Sequence, residues 1–207
     1  MKAYLVIGMM GINYQVIIRN QCEILLLRII NWRDCMITER PLSHEYDKYY
    51  ERYITLVPSG DLVQIYSEQL STFHSLLSGL TEDKAEFRFE EGKWSIKEIV
   101  GHLCDAERML SYVTFQMIRK DDNLISSINF NDYVIRGNYH NRSILNLLEE
   151  FKSVRKSTIS LINTIRNEDL QLGSTFRQHP LTVLAAVCII VGHVEHHMRI
   201  LRKCYRI

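Results

Sequence analysis

Residues 182–203 read TVLAAVCIIVGHVEHHMRILRK, and this stretch decides the predicted fold of the chain. Its apolar side chains recur every three or four residues, which is the spacing of the buried face of an amphipathic helix. Pro180 marks a break in the chain just before the stretch begins. The stretch therefore predicts a long core helix that ends near Lys203, and His193 and His197 fall on its buried face.

Three further stretches have the same periodicity and predict helices at about 60–79, 95–119 and 141–165. Ser95-Ile96-Lys97-Glu98 is a capping box, in which the hydroxyl and the carboxylate satisfy backbone N–H groups at a helix start. Asn141 is the predicted cap of the third helix. No segment alternates clearly enough to predict a strand. The predicted fold class is all-α, a four-helix bundle with a long crossover loop between helices two and three.

The predicted loop covers residues 121–140, which is long for a connection within a bundle. It carries Phe130, Tyr133 and Tyr139. These aromatic side chains either pin the loop to the bundle or contact a substrate. The sequence leaves both interpretations open.

Charge and cysteine content exclude several classes of protein. The chain has 207 residues, with 25 Lys and Arg against 24 Asp and Glu, and its basic residues form no stripe or arm, so no nucleic-acid partner is predicted. The five cysteines are odd in number and far apart, without a C-x-x-C motif, which is typical of reduced thiols in a cytoplasmic protein.

The first 35 residues differ in composition from the rest. Their apolar runs are too short to span a bilayer, so no membrane association is predicted. Met36 stands just before residues of ordinary globular composition. We interpret residues 1–35 as an upstream extension outside the functional domain, for which a misassigned start is one explanation, and residues 36–207 as the bundle domain.

Three histidines are predicted to lie inside the bundle. His193 and His197 are four residues apart, so one helix face carries both, and His102 lies on the apolar stripe of the second helix. A lone histidine at such a position is usually a hydrogen-bonded core residue. An i,i+4 pair with a third histidine would leave several buried nitrogens to satisfy without a metal, which is costly. The pattern therefore favours a metal site.

Two neighbouring residues have predicted supporting roles. Asp105 lies one helical turn after His102 and is predicted to accept a hydrogen bond from the free ring N–H of that histidine, as metal-ligating histidines usually require. His196 lies about 100° around the helix from His197, so it cannot share the inward direction of the other two. We interpret it as a surface or supporting residue.

The segment from Lys93 to Arg108, KWSIKEIVGHLCDAER, together with residues 192–197, GHVEHH, resembles the DinB-like family of bacterial metal-binding four-helix bundles. The resemblance extends over about residues 36–207. It implies that His102, His193 and His197 are ligands of a divalent metal, zinc or nickel above all, with open positions for water or substrate. It also implies a homodimer, and it includes thiol-S-transferases, which points to a low-molecular-weight thiol as cosubstrate.

Three functions stay open at this point. A metal held by three neutral imidazoles can activate water to hydrolyse a small ester or amide, or activate a small thiol for transfer to an electrophile. No H-E-x-x-H motif is present, which argues against a protease. The third alternative is a non-catalytic, stress- or damage-inducible binding protein that the metal stabilises. For a small-molecule substrate we predict a pocket formed by Arg155, Thr158 and Tyr133.

Overall fold

The computed structural model describes residues 4–9, 12–20, 23–28, 36–121 and 128–207, the first three of these ranges by their backbone alone. The chain divides into two compact units, Met1–Met36 and Ile37–Ile207. The assignment of residues 1–35 to an extension outside the functional domain stays a prediction.

The first unit contains an antiparallel sheet of three strands, β1 (Tyr4–Met9), β2 (Ile12–Asn20) and β3 (Glu23–Arg28). β2 lies in the middle, with Leu5 opposite Val16 on one side and Leu25 opposite Ile17 on the other. The prediction that no segment forms a strand was wrong here. Short apolar runs lack the alternation that identifies a half-buried strand, and periodicity alone does not distinguish them from helix.

The second unit is mostly helical, which confirms the predicted fold class. A 3-10 turn, Lys48–Tyr50, leads into the short helix α1. The elements that follow are α1 (Glu51–Ile54), α2 (Leu62–Leu77), α3 (Glu82–Glu86), α4 (Ile96–Ile118), α5 (Phe130–Gly137), α6 (Ile144–Ile162), a hairpin of β4 (Gly173–Phe176) and β5 (His179–Thr182), and α7 (Val183–Ile200). A π-helical turn, Leu201–Tyr205, extends α7. The long helices α2, α4, α6 and α7 form the bundle.

The order of the helices around the bundle differs from their order in the chain. α4 packs against α6 and α7, and α2 packs against the same two helices, so α2 and α4 occupy opposite corners. The chain therefore crosses the bundle diagonally twice, once between α2 and α4 and once between α6 and α7. The long connection, which contains α5, joins the neighbouring helices α4 and α6, so it is not the crossover predicted between helices two and three; its length is taken up by α5, which packs on α4.

Local sequence signals set the helix ends. The Ser95 hydroxyl accepts a hydrogen bond from the Glu98 N–H, and the Glu98 carboxylate accepts one from the Ser95 N–H, which completes the predicted capping box. α6 is capped by Ser143 and not by Asn141, which lies in a 3-10 turn. Ser143 is the cap because its hydroxyl accepts a hydrogen bond from the N–H of Asn146, three residues further along the chain.

α7 is the central helix of the core. The segment Val183–Tyr205 is long and apolar enough to cross a membrane by length and composition, but 78% of its apolar window is buried inside the protein. Gly192 lets another segment approach it, because a Cβ atom there would lie 2.0 Å from the Tyr53 carbonyl oxygen. The α1 backbone therefore lies directly against α7 at the level of His193.

Candidate metal centre

The structure brings His102 of α4 together with His193 and His197 of α7. The Nε2 atom of His193 lies 3.2 Å from the Nε2 atom of His102 and 3.1 Å from that of His197. All three ligand atoms lie within 4.8 Å of one another. The side chains are buried, with exposures of 5%, 8% and 9% for His102, His193 and His197. The inward direction predicted for each histidine is the one observed.

The donor chemistry of this cluster fits a metal ion. The Nε2 atom of His193 carries either one proton or one lone pair in the ring plane, so it forms at most one of its two short contacts as a good hydrogen bond. Two ligand nitrogens of a tetrahedral metal with bonds of about 2.0–2.1 Å are about 3.3 Å apart. The observed separations of 3.1 and 3.2 Å match that spacing. The three Nε2 atoms therefore suit a divalent cation better than they suit one another.

Burial keeps these imidazoles neutral. It lowers the pKa of His102 to about 4, and it lowers the pKa values of His193 and His197 well below their ordinary value. For His193 and His197, repulsion between the neighbouring rings, were they charged, lowers the pKa further. Neutral imidazole is the form that binds metal, so near pH 7 no proton competes with a cation.

Aromatic rings hold the histidines in place. The Trp94 ring lies 4.6 Å from the ring of His102, and the Phe130 ring lies 5.0 Å from it on edge. The Tyr53 ring lies 5.0 Å from His193, where Gly192 allows the close approach of α1. These contacts restrict the rotation of the His102 and His193 rings.

The predicted support of His102 by Asp105 was wrong. The Asp105 carboxylate accepts a hydrogen bond from the Tyr139 hydroxyl and pairs with Arg108 at 3.6 Å. The Nδ1 atom of His102 is buried without a hydrogen-bond partner among the described residues, as is that of His197. Three residues advance a helix by about 300°, so Asp105 is rotated about 60° around α4 from His102. It therefore meets Tyr139, in the 3-10 turn between α5 and α6, and not the histidines of α7.

A cavity of about 620 Å³ opens beside the three histidines. Besides Trp94 and the faces of α4 and α7 that carry the histidines, its wall includes the turn and helix at residues 49–53, the segment 128–131 that begins α5, and the tip of the β4–β5 hairpin. The aromatic and basic side chains that line it besides the three histidines include Tyr50, Arg52, Trp94, Phe130, Arg177 and His196. His196 is half-buried in the wall, with its ring 5.3 Å from that of Tyr53, so it lies beside the cluster and not in it.

The predicted pocket residues lie elsewhere. Arg155 is 0% exposed and forms a buried ion pair with Glu107 at 2.8 Å. Thr158 contacts the Ser111 hydroxyl at 2.9 Å and lines a separate groove between α4 and α6. Tyr133 is 46% exposed, and its ring contacts Phe130 and not the cavity. Arg155 and Thr158 lie at the margin of the apolar stripe of α6. Their position in the sequence did not show whether their side chains point toward a neighbouring helix or into a cavity.

Several cavity residues were missed by the sequence analysis. Tyr50, Tyr53 and Arg52 precede the first long helix, and they reach the histidines only because α1 packs against α7. Arg177 and Gln178 connect β4 to β5 with φ angles of 53° and 68°, which non-glycine residues seldom adopt. No periodicity marks such positions, although two adjacent tyrosines followed by Arg52 and Tyr53 are a local aromatic signal that precedes the bundle.

Fold and cluster together define a class: a four-helix bundle with a buried three-histidine site that opens into a cavity. Residues 65–201 match the DinB superfamily, and the chain belongs to that superfamily. The predicted family is thereby confirmed.

One solved structure similar to this one is that of YfiT from Bacillus subtilis, described as a probable metal-dependent hydrolase with an unusual four-helix bundle topology. The TM-score is 0.66 at 13% sequence identity, and the similarity covers 81% of this chain and 92% of YfiT. At this identity the likeness concerns the fold. No curated protein sequence matches the chain.

Proposed function

We propose that this protein is a divalent-metal-dependent enzyme that acts on a small molecule, and that His102, His193 and His197 hold the metal. The observation that carries the proposal is the convergence of three neutral Nε2 atoms, 3.1 and 3.2 Å apart, at the wall of a cavity. Three imidazoles suit zinc or nickel. A cytoplasmic location and a homodimer are part of the proposal and rest on the cysteine pattern and the family resemblance.

A divalent metal with three neutral protein ligands retains its charge and an open position, so it lowers the pKa of water to about 7 or holds a thiol as thiolate. The protein supplies the rest of the site. Trp94 and Phe130 hold the ring of His102, and Tyr53 holds that of His193.

Hydrolysis of a small ester or amide is our first candidate reaction. Three-histidine sites supply a nucleophile from water near neutral pH without a protein carboxylate acting as general base. The name given to YfiT, a probable metal-dependent hydrolase, supports this choice.

Thiol transfer is the second candidate, and a specific feature of the cavity favours it. No aspartate or glutamate lines the cavity in the described part of the chain. Hydrolysis of an amide needs a proton donor for the leaving nitrogen, whereas a thiolate that attacks an alkyl halide forms a C–S bond and releases the halide ion, which takes up no proton. The low-molecular-weight thiol would be the cosubstrate.

The experiment that tests the proposal is metal analysis of untagged protein together with four single variants. We expect His102→Ala, His193→Ala and His197→Ala each to abolish stoichiometric binding of zinc or nickel, and the matched control His196→Ala to retain most of it. Equal loss in all four variants would contradict the ligand assignment.

Cobalt-substituted protein then separates the candidate functions. Perturbation of its visible spectrum by a small thiol supports thiol transfer, and activity on activated esters without such a perturbation supports hydrolysis. A saturated metal that neither water nor thiol reaches would contradict an enzyme and leave a metal-stabilised binding protein.

A further inference from the structure

The cavity beside the histidines is electropositive. Arg52 and Arg177 both line it, and none of its lining residues between 36–121 and 128–207 is acidic. A concave site with one sign of charge and apolar walls concentrates the field and attracts ligands of the opposite sign.

Arg177 has unused hydrogen-bonding capacity. Its Nη2 atom donates to the Ile128 carbonyl oxygen at 2.9 Å, while its Nε atom is buried without a hydrogen-bond partner in the described part of the chain. No carboxylate of the described residues lies within ion-pair distance of it. A guanidinium offers its donors in a planar fork that matches a carboxylate, and a buried donor without an acceptor costs free energy that such an anion would recover.

The backbone holds Arg177 at an unfavourable conformation. Arg177 and Gln178 both have positive φ angles at the hairpin tip, where asparagine and glycine are the usual residues. Strained residues of this kind persist where the surrounding structure imposes them, and they cluster at ligand sites. The two-residue turn between β4 and β5 requires positive φ angles at both positions, and it places the Arg177 side chain at the cavity wall.

Arg52 is the second cation of the wall. Its guanidinium lies 4.1 Å above the centre of the Tyr49 ring, and its Nε atom donates to the Tyr49 carbonyl oxygen at 3.1 Å. It has no ion pair with the carboxylates that the structure describes. The two arginines are thus neutralised by no protein group in the described residues, unlike Arg155, which has Glu107.

The remaining wall is aromatic. Tyr50, Trp94 and Phe130 present ring surface to the same space. Such a wall favours a flat apolar body, which buries area against it without losing hydrogen bonds.

From these features we propose that Arg177, assisted by Arg52, binds the carboxylate of a small aromatic or apolar acid whose other end faces the three histidines. This inference rests on the proposed function, because it assigns the substrate class of the same site. The inference goes beyond the proposed function because it names a group outside the histidine cluster, Arg177, that recognises the substrate.

Calorimetric titration with benzoate, and with benzamide as its uncharged counterpart, tests the proposal. Both are titrated into metal-free and zinc-loaded protein. We expect the wild type to prefer benzoate in both forms and Arg177→Asn to weaken benzoate binding about tenfold or more, with benzamide unchanged. Asparagine tolerates the positive φ angle, so the hairpin is preserved. Arg177→Lys keeps the charge without the fork and is expected to lose part of the affinity.

Arg119→Asn is the matched control. Arg119 also stacks on an aromatic ring, that of Phe115 at 5.1 Å, but it does not line the cavity. Its removal changes the net charge equally and should leave benzoate binding unchanged.

The possible failures are distinguishable. Absence of benzoate binding to the wild type, an equal effect of both asparagine variants, or zinc-dependent binding that ignores Arg177 would overturn the anion site, and the last result would leave the metal function intact. Binding that depends on Arg177 in a protein that takes up no metal would support the anion site and contradict the proposed enzyme.

Discussion

Two buried polar clusters lie within the same bundle, and they are built on opposite principles. The histidine cluster brings together three Nε2 atoms that cannot satisfy one another and leaves Nδ1 atoms of His102 and His197 without partners among the described residues. The second cluster surrounds Arg155 and links all four long helices. It is rich in satisfied hydrogen bonds.

The Arg155 cluster shows what a structural polar core looks like. Arg155 donates from Nε and Nη2 to Glu107 Oε2, at 3.1 and 2.8 Å, and from Nη1 to Gln69 at 2.9 Å. Gln69 in turn donates to the Val191 carbonyl oxygen of α7 at 3.0 Å. The guanidinium also lies 4.6 Å from the centre of the Tyr66 ring. Each of the three guanidinium nitrogens donates to a protein oxygen, and among the described residues only the second oxygen of the Glu107 carboxylate, Oε1, is left without a partner in this group.

The contrast separates residues that hold the fold from residues that await a ligand. Both clusters are buried, polar and made from side chains far apart in sequence. What differs is the pairing of the central group: protein oxygens accept from every nitrogen of the Arg155 guanidinium, and Arg155 does not line the cavity, whereas the three histidine Nε2 atoms cannot satisfy one another and do line it. Burial and charge alone therefore do not identify a functional site.

The largest expected effect is the loss of stability when the Arg155 cluster is broken. Arg155→Ala leaves the Glu107 carboxylate buried and unpaired, so we expect the free energy of unfolding to fall by about 3–5 kcal/mol, with or without metal. Urea denaturation of chelated and zinc-loaded protein measures it. The control is Arg108→Ala, which removes a half-exposed ion pair with Glu150 and should cost less than about 1 kcal/mol. Similar losses in both variants would erase the distinction between the clusters.

Metal should stabilise the folded protein through the histidine cluster alone. With free zinc at about 100 times its dissociation constant, we expect the free energy of unfolding to rise by about 2.7 kcal/mol. The increase should vanish in His193→Ala and persist in the destabilised Arg155 variant, if that variant still folds. Stabilisation by zinc in His193→Ala would show that the ion binds elsewhere.

Acid should weaken the metal-free protein through the same histidines. Burial lowers the pKa of His102 from 6.5 to about 4, so between these values the unfolded chain takes up a proton that the folded protein refuses. Stability is therefore complete above about pH 6.5 and falls toward pH 4, by up to about 1.4 kcal/mol per pH unit for this one histidine. His102→Gln should remove that share of the slope. An unchanged slope in urea denaturation across this range would contradict the neutral, buried state.

The smallest expected effect concerns Asp105. Since Asp105 bonds Tyr139 and not His102, Asp105→Asn should leave zinc affinity within about twofold and cost about 1 kcal/mol of stability. Competition with a chromogenic chelator measures the affinity. A loss of tenfold or more would restore Asp105 to the metal site.

Much of the fold followed from local signals. The helix of Ile96–Ile118 is specified by its capping box and its apolar stripe, both of which act over a few residues. The inward direction of His193 and His197 follows from their spacing on one helix. Such features depend on the chain's immediate neighbourhood, and sequence analysis recovered them.

The features that it missed depend on distant partners. Arg155 is closed off by Glu107, 48 residues away, and Tyr53 reaches His193 only because Gly192 lets two backbones touch. Nothing beside Arg177 in sequence shows that its hairpin tip lines a cavity. Contacts between residues so far apart in sequence are decided by tertiary packing, which the local spacing of apolar residues does not reveal.

The separation of the ligands along the chain has a consequence for synthesis. His102 and His193 are 91 residues apart, and at about 5–20 residues per second the ribosome takes about 5–18 s to make that interval. Until α7 emerges and docks, His102 faces no partner histidine, and the nascent chain offers only one of three ligands. On the proposed function, metal would bind only after α7 has docked, so a bound ion would report that translation had passed His197 and that α7 had packed into the bundle.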